Sequence, residues 1–152
     1  RFLFNERIWK EISPHYRELI ALAAFLQIAR HFNNHQHPAT IDQLSEHLQV
    51  PVSILNEAIH LLEAGGWIVE IQEREVANRN IDPGYHPAAP LHKTTLAAFK
   101  RSLQDIGDSE SFAGICQIDP LVATYLQMEE NESRDPFFNT PLQKLIDAPS
   151  SS

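Results

Sequence analysis

The stretch TIDQLSEHLQVPVSILNEAIHLLEAGGW, residues 40–67, decides the fold. It opens with Thr40-Ile41-Asp42-Gln43, the spacing of a capping box, in which the Thr hydroxyl and the Gln side chain each satisfy a backbone N–H that the first helical turn leaves open. Ile41, Leu44 and Leu48 then share one face of a short helix. Val50-Pro51 ends that helix, because proline disfavours helical geometry in the residue before it, and Pro51 can open the next helix at its first turn. In the second helix Leu55, Ala58, Ile59 and Leu62 fall on one face, and Gly65-Gly66 supplies a left-handed stop. Two short helices in this order predict a helix-turn-helix.

On the C-terminal side, Trp67, Val69 and Ile71 alternate with Ile68, Glu70 and Gln72, a period-two run of strong strand formers. The polar run 73–83 leads to Gly84-Tyr85-His86-Pro87, short and proline-limited, which reads as a return strand at a sheet edge. On the N-terminal side, Ser13-Pro14 caps a helix running to about Phe32. Its apolar residues form two stripes, Leu19, Leu22, Ala23 and Leu26, and Phe25, Ile28 and Phe32, so it is either central in the domain or shared with a partner. Thr94 or Thr95 caps a further helix through Leu103, and Asp119-Pro120 and Thr140-Pro141 start two more. The expected class is mainly α with a small β-hairpin: a winged helix-turn-helix with additional C-terminal helices. Residues 1–107 are expected to form the winged-helix domain with its N-terminal helical extension, and residues 108–152 a C-terminal helical extension with a frayed tail.

The composition narrows the chemistry. At 152 residues and 43% hydrophobic content the chain can fill a core without staples, and its formal net charge is −8. One cysteine, Cys116, excludes an internal disulfide and any site needing two thiolates, and its apolar surroundings predict an inert buried thiol. His31, His35 and His37 cluster, but no neighbouring carboxylate completes a ligand set, so no metal and no cofactor is expected. His35-Gln36-His37 begins like the motif of two-metal nucleases and fails at Ala39 and Thr40. No phosphate loop or catalytic triad order is present, and no enzymatic activity is expected. The longest apolar run, Leu19 to Ala29, is too short to span a bilayer, so the fragment itself is expected to be soluble.

The order of residues also carries a resemblance. Thr40-Ile41-Asp42-Gln43-Leu44, Val50-Pro51, Leu61-Leu62-Glu63-Ala64-Gly65-Gly66, Gly84-Tyr85-His86-Pro87-Ala88-Ala89-Pro90-Leu91 and Thr94-Thr95-Leu96 together resemble the C-terminal region of the YihY/BrkB family, over about residues 15 to 105. That resemblance implies a cytoplasmic winged-helix tail of an integral membrane protein, some of whose relatives carry the historical label ribonuclease BN. A start at Arg1 rather than Met fits an excised tail. Iron–sulfur regulators of the IscR type share a similar helix-turn-helix, Gly-Tyr wing and Thr-Leu helix; they usually place three cysteines after it, where this chain has only Cys116.

Two function classes follow. The first is a non-catalytic interaction or regulatory module at the cytoplasmic face of the bacterial inner membrane, partnered by the membrane region of a parent protein, by another protein or by a second copy as a homodimer. Its expected interface is Phe25, Ile28, Phe32, Leu121, Tyr125, Phe137 and Phe138. The alternative is a winged-helix transcription regulator, with Ser53, Asn56 and His60 reading bases and Arg74 and Arg79 on the wing. Between residues 40 and 92 eight acids stand against two arginines, and the second helix of the pair has no Lys or Arg. Repulsion from phosphates therefore makes nucleic acid the less expected partner.

Overall fold

In the computed structural model, residues 11–72, 83–104, 117 and 119–148 are described. The chain divides into two units, Arg1–Pro90 and Leu91–Ser152. The boundary expected at residue 107, Cys116, Arg74 and Arg79 all lie outside the described residues.

The first unit is a winged helix, as the sequence predicts. Helix α1 (Pro14–Asn33) starts where the Ser13 hydroxyl accepts from the Tyr16 N–H at 3.2 Å, with Pro14 in the first turn where no N–H is needed. A two-residue strand β1 (Ala39–Thr40) leads directly into α2 (Ile41–Leu48). The capping box forms as read: Gln43 N donates to Thr40 Oγ1 at 3.2 Å, and Thr40 N donates to Gln43 Oε1 at 3.0 Å. Helix α3 (Val52–Ala64) ends on a left-handed Gly66, φ 76°, with Trp67 N donating to Leu62 O and Gly66 N to Glu63 O. This bond pair is the Schellman stop that the two glycines predict.

Strands β2 (Ile68–Ile71) and β3 (Gly84–Pro87) pair antiparallel, and β3 also pairs with β1, giving the order β1-β3-β2. The expected edge strand is thus the central one. Pro87 is tolerated there because it faces only Ile68; β1 reaches no further than Tyr85 and Gly84, so the ladder on that side never asks Pro87 for an N–H. The strand phase also differs from the apolar count. Ile68 points into the core at 3% exposure while Val69 is outside.

The core of this unit is the packing of α1 on α3, α2 and β3. The buried stripe of α1 is Ile20, Ala21, Ala24, Phe25, Ile28 and Ala29. Of the two apolar stripes it is the one with Phe25 and Ile28 that is buried: Leu19 is exposed and Leu22, Ala23 and Leu26 are half-buried. Three alanines on the buried side let the helices approach closely, and interaxial distance follows side-chain size. Phe25 and Ile28, expected at a partner interface, are core residues at 1% and 0% exposure, and the Phe25 ring meets Trp67 edge-on at 5.6 Å. Burying each stabilises the unit by about 1.5–3 kcal/mol, which a partner cannot then use. Phe32 stays exposed, with its ring edge-on to His86 at 5.0 Å.

The second unit begins with a 3₁₀ turn (Leu91–Lys93), followed by α4 (Leu96–Gln104), α5 (Pro120–Glu132), α6 (Pro136–Asn139) and α7 (Leu142–Asp147). Thr95 Oγ1 accepts from Ala98 N and Asp119 Oδ1 from Leu121 N, so these two caps form, whereas the Thr140 hydroxyl donates back to Pro136 O and does not cap α7. Helix α5 ends at Glu132, and α6 starts at Pro136 after a three-residue turn. The 3₁₀ turn packs against α7, and Leu142 N donates to Thr94 O at 2.6 Å beside buried Leu91 and Leu142.

Gly84 is fixed by a close approach. A Cβ there would lie 2.7 Å from the Pro38 carbonyl oxygen and 2.9 Å from its carbon. Gly84→Ala must push β1 from β3, and urea unfolding should show a loss of about 1–3 kcal/mol.

Candidate nucleic-acid interface

The turn joining α2 to α3 is held by two reciprocal bonds: Ser45 Oγ donates to Val50 O at 2.7 Å, and Val50 N donates to Ser45 O at 3.3 Å. Gln49 takes the left-handed conformation at φ 58°, and its side-chain amide donates to Glu46 O at 2.7 Å. Pro51 O then accepts from Ile54 N and Leu55 N, which starts α3. These constraints fix the direction of α3 relative to α2.

Rotation about α3 is set by its core face. Ile54, Leu55, Ala58, Ile59 and Leu62 are buried, and at 3.6 residues per turn the opposite face is centred on Ser53, Asn56 and His60. Asn56 and His60 are exposed and Ser53 half-buried. All three sequence-predicted base readers therefore lie on one open strip of α3. Val52, exposed and one turn before Asn56, extends that strip. The sequence reading missed it, although the 52-56-60 spacing was there to be counted. Glu57 and Glu63 are half-buried at the two margins of the strip rather than in its centre. Leading into the wing, Glu70 pairs in register with Tyr85. Burial first, and then the Glu63 and Glu70 carboxylates, push the Tyr85 phenol above its ordinary value.

On the other side of the helix pair, α1 and α2 enclose an open polar groove of about 560 Å³ lined by Gln27, His31, Gln43, Glu46, His47 and Gln49. The His31 ring lies 3.3 Å from the His37 carbonyl through Nδ1, while His35 and His37 are exposed. Among the described residues no three His, Cys, Asp or Glu side chains gather as a metal-ligand set. Of the residues expected at a partner interface, Leu121 is 76% exposed, Tyr125 64% and Phe137 53%. Phe138 is half-buried, its ring edge-on to Phe137 at 5.4 Å.

No family model matches the chain, and no curated protein matches it. Solved structures do. CymR of Staphylococcus aureus superposes with a TM-score of 0.57 at 18% identity, over 90% of this chain and 99% of that one. A Listeria innocua protein described as a transcriptional regulator gives 0.57 at 17%, over 90% and 88%. IscR of T. potens gives 0.60 at 13%, over 92% and 93%. At these identities the likeness establishes the fold, a winged helix.

The neighbours overturn the resemblance to the YihY/BrkB family, and with it the membrane-protein tail, the ribonuclease label, the inner-membrane location and the membrane partner. The quoted motifs are those of the winged-helix fold itself, so they did not discriminate between families that share it. Among the described residues no helix is long and apolar enough to cross a membrane. The expectation against nucleic acid rested on a charge total over residues 40–92, which ignores where each acid sits. Asp42 and Glu46 belong to α2 and Glu70 to β2, while Glu57 and Glu63 flank the strip one helical turn from His60, within a Debye length of about 8 Å, and remain felt there.

Because the raised Tyr85 value favours the neutral phenol in the folded state, its contribution to stability is complete below the unfolded value of about 10 and is lost as pH rises through the folded value. Unfolding free energy measured from pH 8 upward should fall in the alkaline range, and Tyr85→Phe should flatten that fall.

Proposed function

We propose that this protein is a winged-helix transcription regulator that binds DNA as a homodimer. The observation that carries the reading is the open strip on α3, neutral at its centre and held in place by a fold shared with regulators. Asn56 suits an adenine edge, where a side-chain amide donates and accepts at once; Ser53 can bond either kind of base edge, and His60 adds a ring nitrogen to the same line. Arg74 and Arg79, between β2 and β3 in the sequence, are the cations available to phosphates, and the eight acids between residues 40 and 92 keep such contacts few. Affinity then rests on base contacts more than on counterion release, and its salt dependence is correspondingly shallow.

The second copy is engaged through α5. Leu121, Tyr125 and Met128 follow helical spacing along one side of it and are all exposed. A two-fold contact between two such stripes is self-complementary, and a dimer of this kind reads a pseudo-palindrome. Phe32, Phe137 and Phe138 stand as further contact residues.

Selection from a randomised duplex pool at low salt should enrich a pseudo-palindrome with half-sites about 10 base pairs apart or a multiple of that. Asn56→Ala or His60→Ala should weaken the selected duplex by about 1–3 kcal/mol while leaving binding to random duplex nearly unchanged. Absence of any enriched sequence would refute the assignment. Separately, sedimentation should give a dimer for the wild type, and Tyr125→Asp combined with Leu121→Asp should give a monomer with an intact far-ultraviolet spectrum.

A further inference from the structure

Helices α4 and α5 of the second unit enclose a cleft of about 260 Å³. On α4 it is lined by Ala97, Lys100 and Arg101, at the spacing that puts three residues on one side of a helix. On α5 it is lined by Leu126, Glu129 and Glu130, at the same spacing, with Ser133 at the helix end. One wall therefore carries two cations and the other two carboxylates.

Charges so placed normally close on one another. Here, among the described residues, no ion pair joins Lys100 or Arg101 to Glu129 or Glu130. The Ser133 hydroxyl and N–H are turned to the α5 backbone, donating to Glu130 O at 2.6 Å and to Glu129 O at 3.2 Å, so they do not neutralise the carboxylates. Ala97 at 6% exposure and Leu126 provide an apolar patch between the two charged walls.

We infer that this cleft binds a small zwitterion, a free aliphatic α-amino acid. Its formal charge is zero overall, so it favours neither a simple anion nor a simple cation, whereas a molecule with both groups pairs with both walls at once. The guanidinium of Arg101 can hold a carboxylate through two parallel N–H bonds, with Lys100 adding a point charge. Glu129 and Glu130 accept from the ammonium group, and the side chain rests on Ala97 and Leu126. The volume is below the roughly 300–1,000 Å³ of sites for drug-sized ligands, which limits the occupant to something of amino-acid size.

The inference concerns the second unit alone and does not depend on DNA binding, so its test contains no DNA. Calorimetry on the full chain should detect one or more of L-valine, L-leucine, L-isoleucine and L-alanine with a Kd of about 1 mM or tighter. The N-acetyl form, which lacks the ammonium, and the amide, which lacks the carboxylate, should each bind at least about tenfold more weakly, a difference of about 1.4 kcal/mol. Arg101→Gln should abolish the preference over the amide, and Glu129→Gln the preference over the N-acetyl form. Arg101 is exposed and Glu129 half-buried, and circular dichroism checks that the variants are folded. No heat with any of the four at about 10 mM, equal binding of the capped forms, or preferences that both variants leave untouched would each overturn it.

Discussion

The contact between α1 and α3 is the constraint on which the rest of the first unit depends. Alanines at positions 21, 24 and 29 bring the two helices close, and Phe25 and Ile28 fill the space beside them. Once Ile54, Leu55, Ala58, Ile59 and Leu62 are committed to that contact, the outward face of α3 has no freedom left. The Ser45–Val50 bonds set the angle at which α3 leaves α2, and Gly84 lets β3 lie against the Pro38 backbone so that β1 and β2 share one sheet. A side chain meant to touch another molecule is useful only if its rotation about the helix is fixed, and here packing behind α3 fixes it.

The electrostatics of the unit are local for the same reason. A sum over residues 40–92 counts Asp42, which sits in the first turn of α2 where a negative charge favours the helix dipole, and Glu46, which lines the groove on the α1 side. It also counts Glu63 and Glu70, whose charges act on the Tyr85 phenol. None of these occupies the centre of the α3 strip. An acidic protein can present a neutral face, and the cost of the surrounding negative charge then appears as weak non-specific attraction to a polyanion rather than as exclusion from it.

Much of this architecture was legible in the sequence because it is written in local chemistry. Ser13-Pro14, the Thr40 and Gln43 pair, Gly65-Gly66, Thr95 and Asp119 each satisfy backbone groups within a few residues, and each forms as read. What failed depended on distant partners. The buried side of α1 was misjudged because alanines, weak on any hydrophobicity count, line the close contact while Leu19 faces out. The central position of β3 depends on a two-residue strand, Ala39–Thr40, too short to register as a strand in the sequence. Ser53, Asn56 and His60 could be placed together on the outward face of α3 because one helix face follows from its opposite. The cleft between α4 and α5 was missed because its walls are 29 residues apart in the chain, although each wall repeats the same spacing, 97-100-101 and 126-129-130.

Helix α5 completes the physical picture. An isolated helix of 13 residues is marginal in water, since nucleation costs several ordered residues before the first hydrogen bond is returned, and most helical stability in proteins comes from burying one face. Yet no described side chain of α5 is fully buried. Its cap at Asp119 and its Pro120 start contribute about 1 kcal/mol, too little to hold four turns on their own. The side bearing Leu126 and Glu129 faces the cleft, while the side bearing Leu121, Tyr125 and Met128 faces outward. The two faces of the helix thus differ in chemistry. A charged small molecule suits the first, and an apolar surface such as the same stripe on a second copy suits the second.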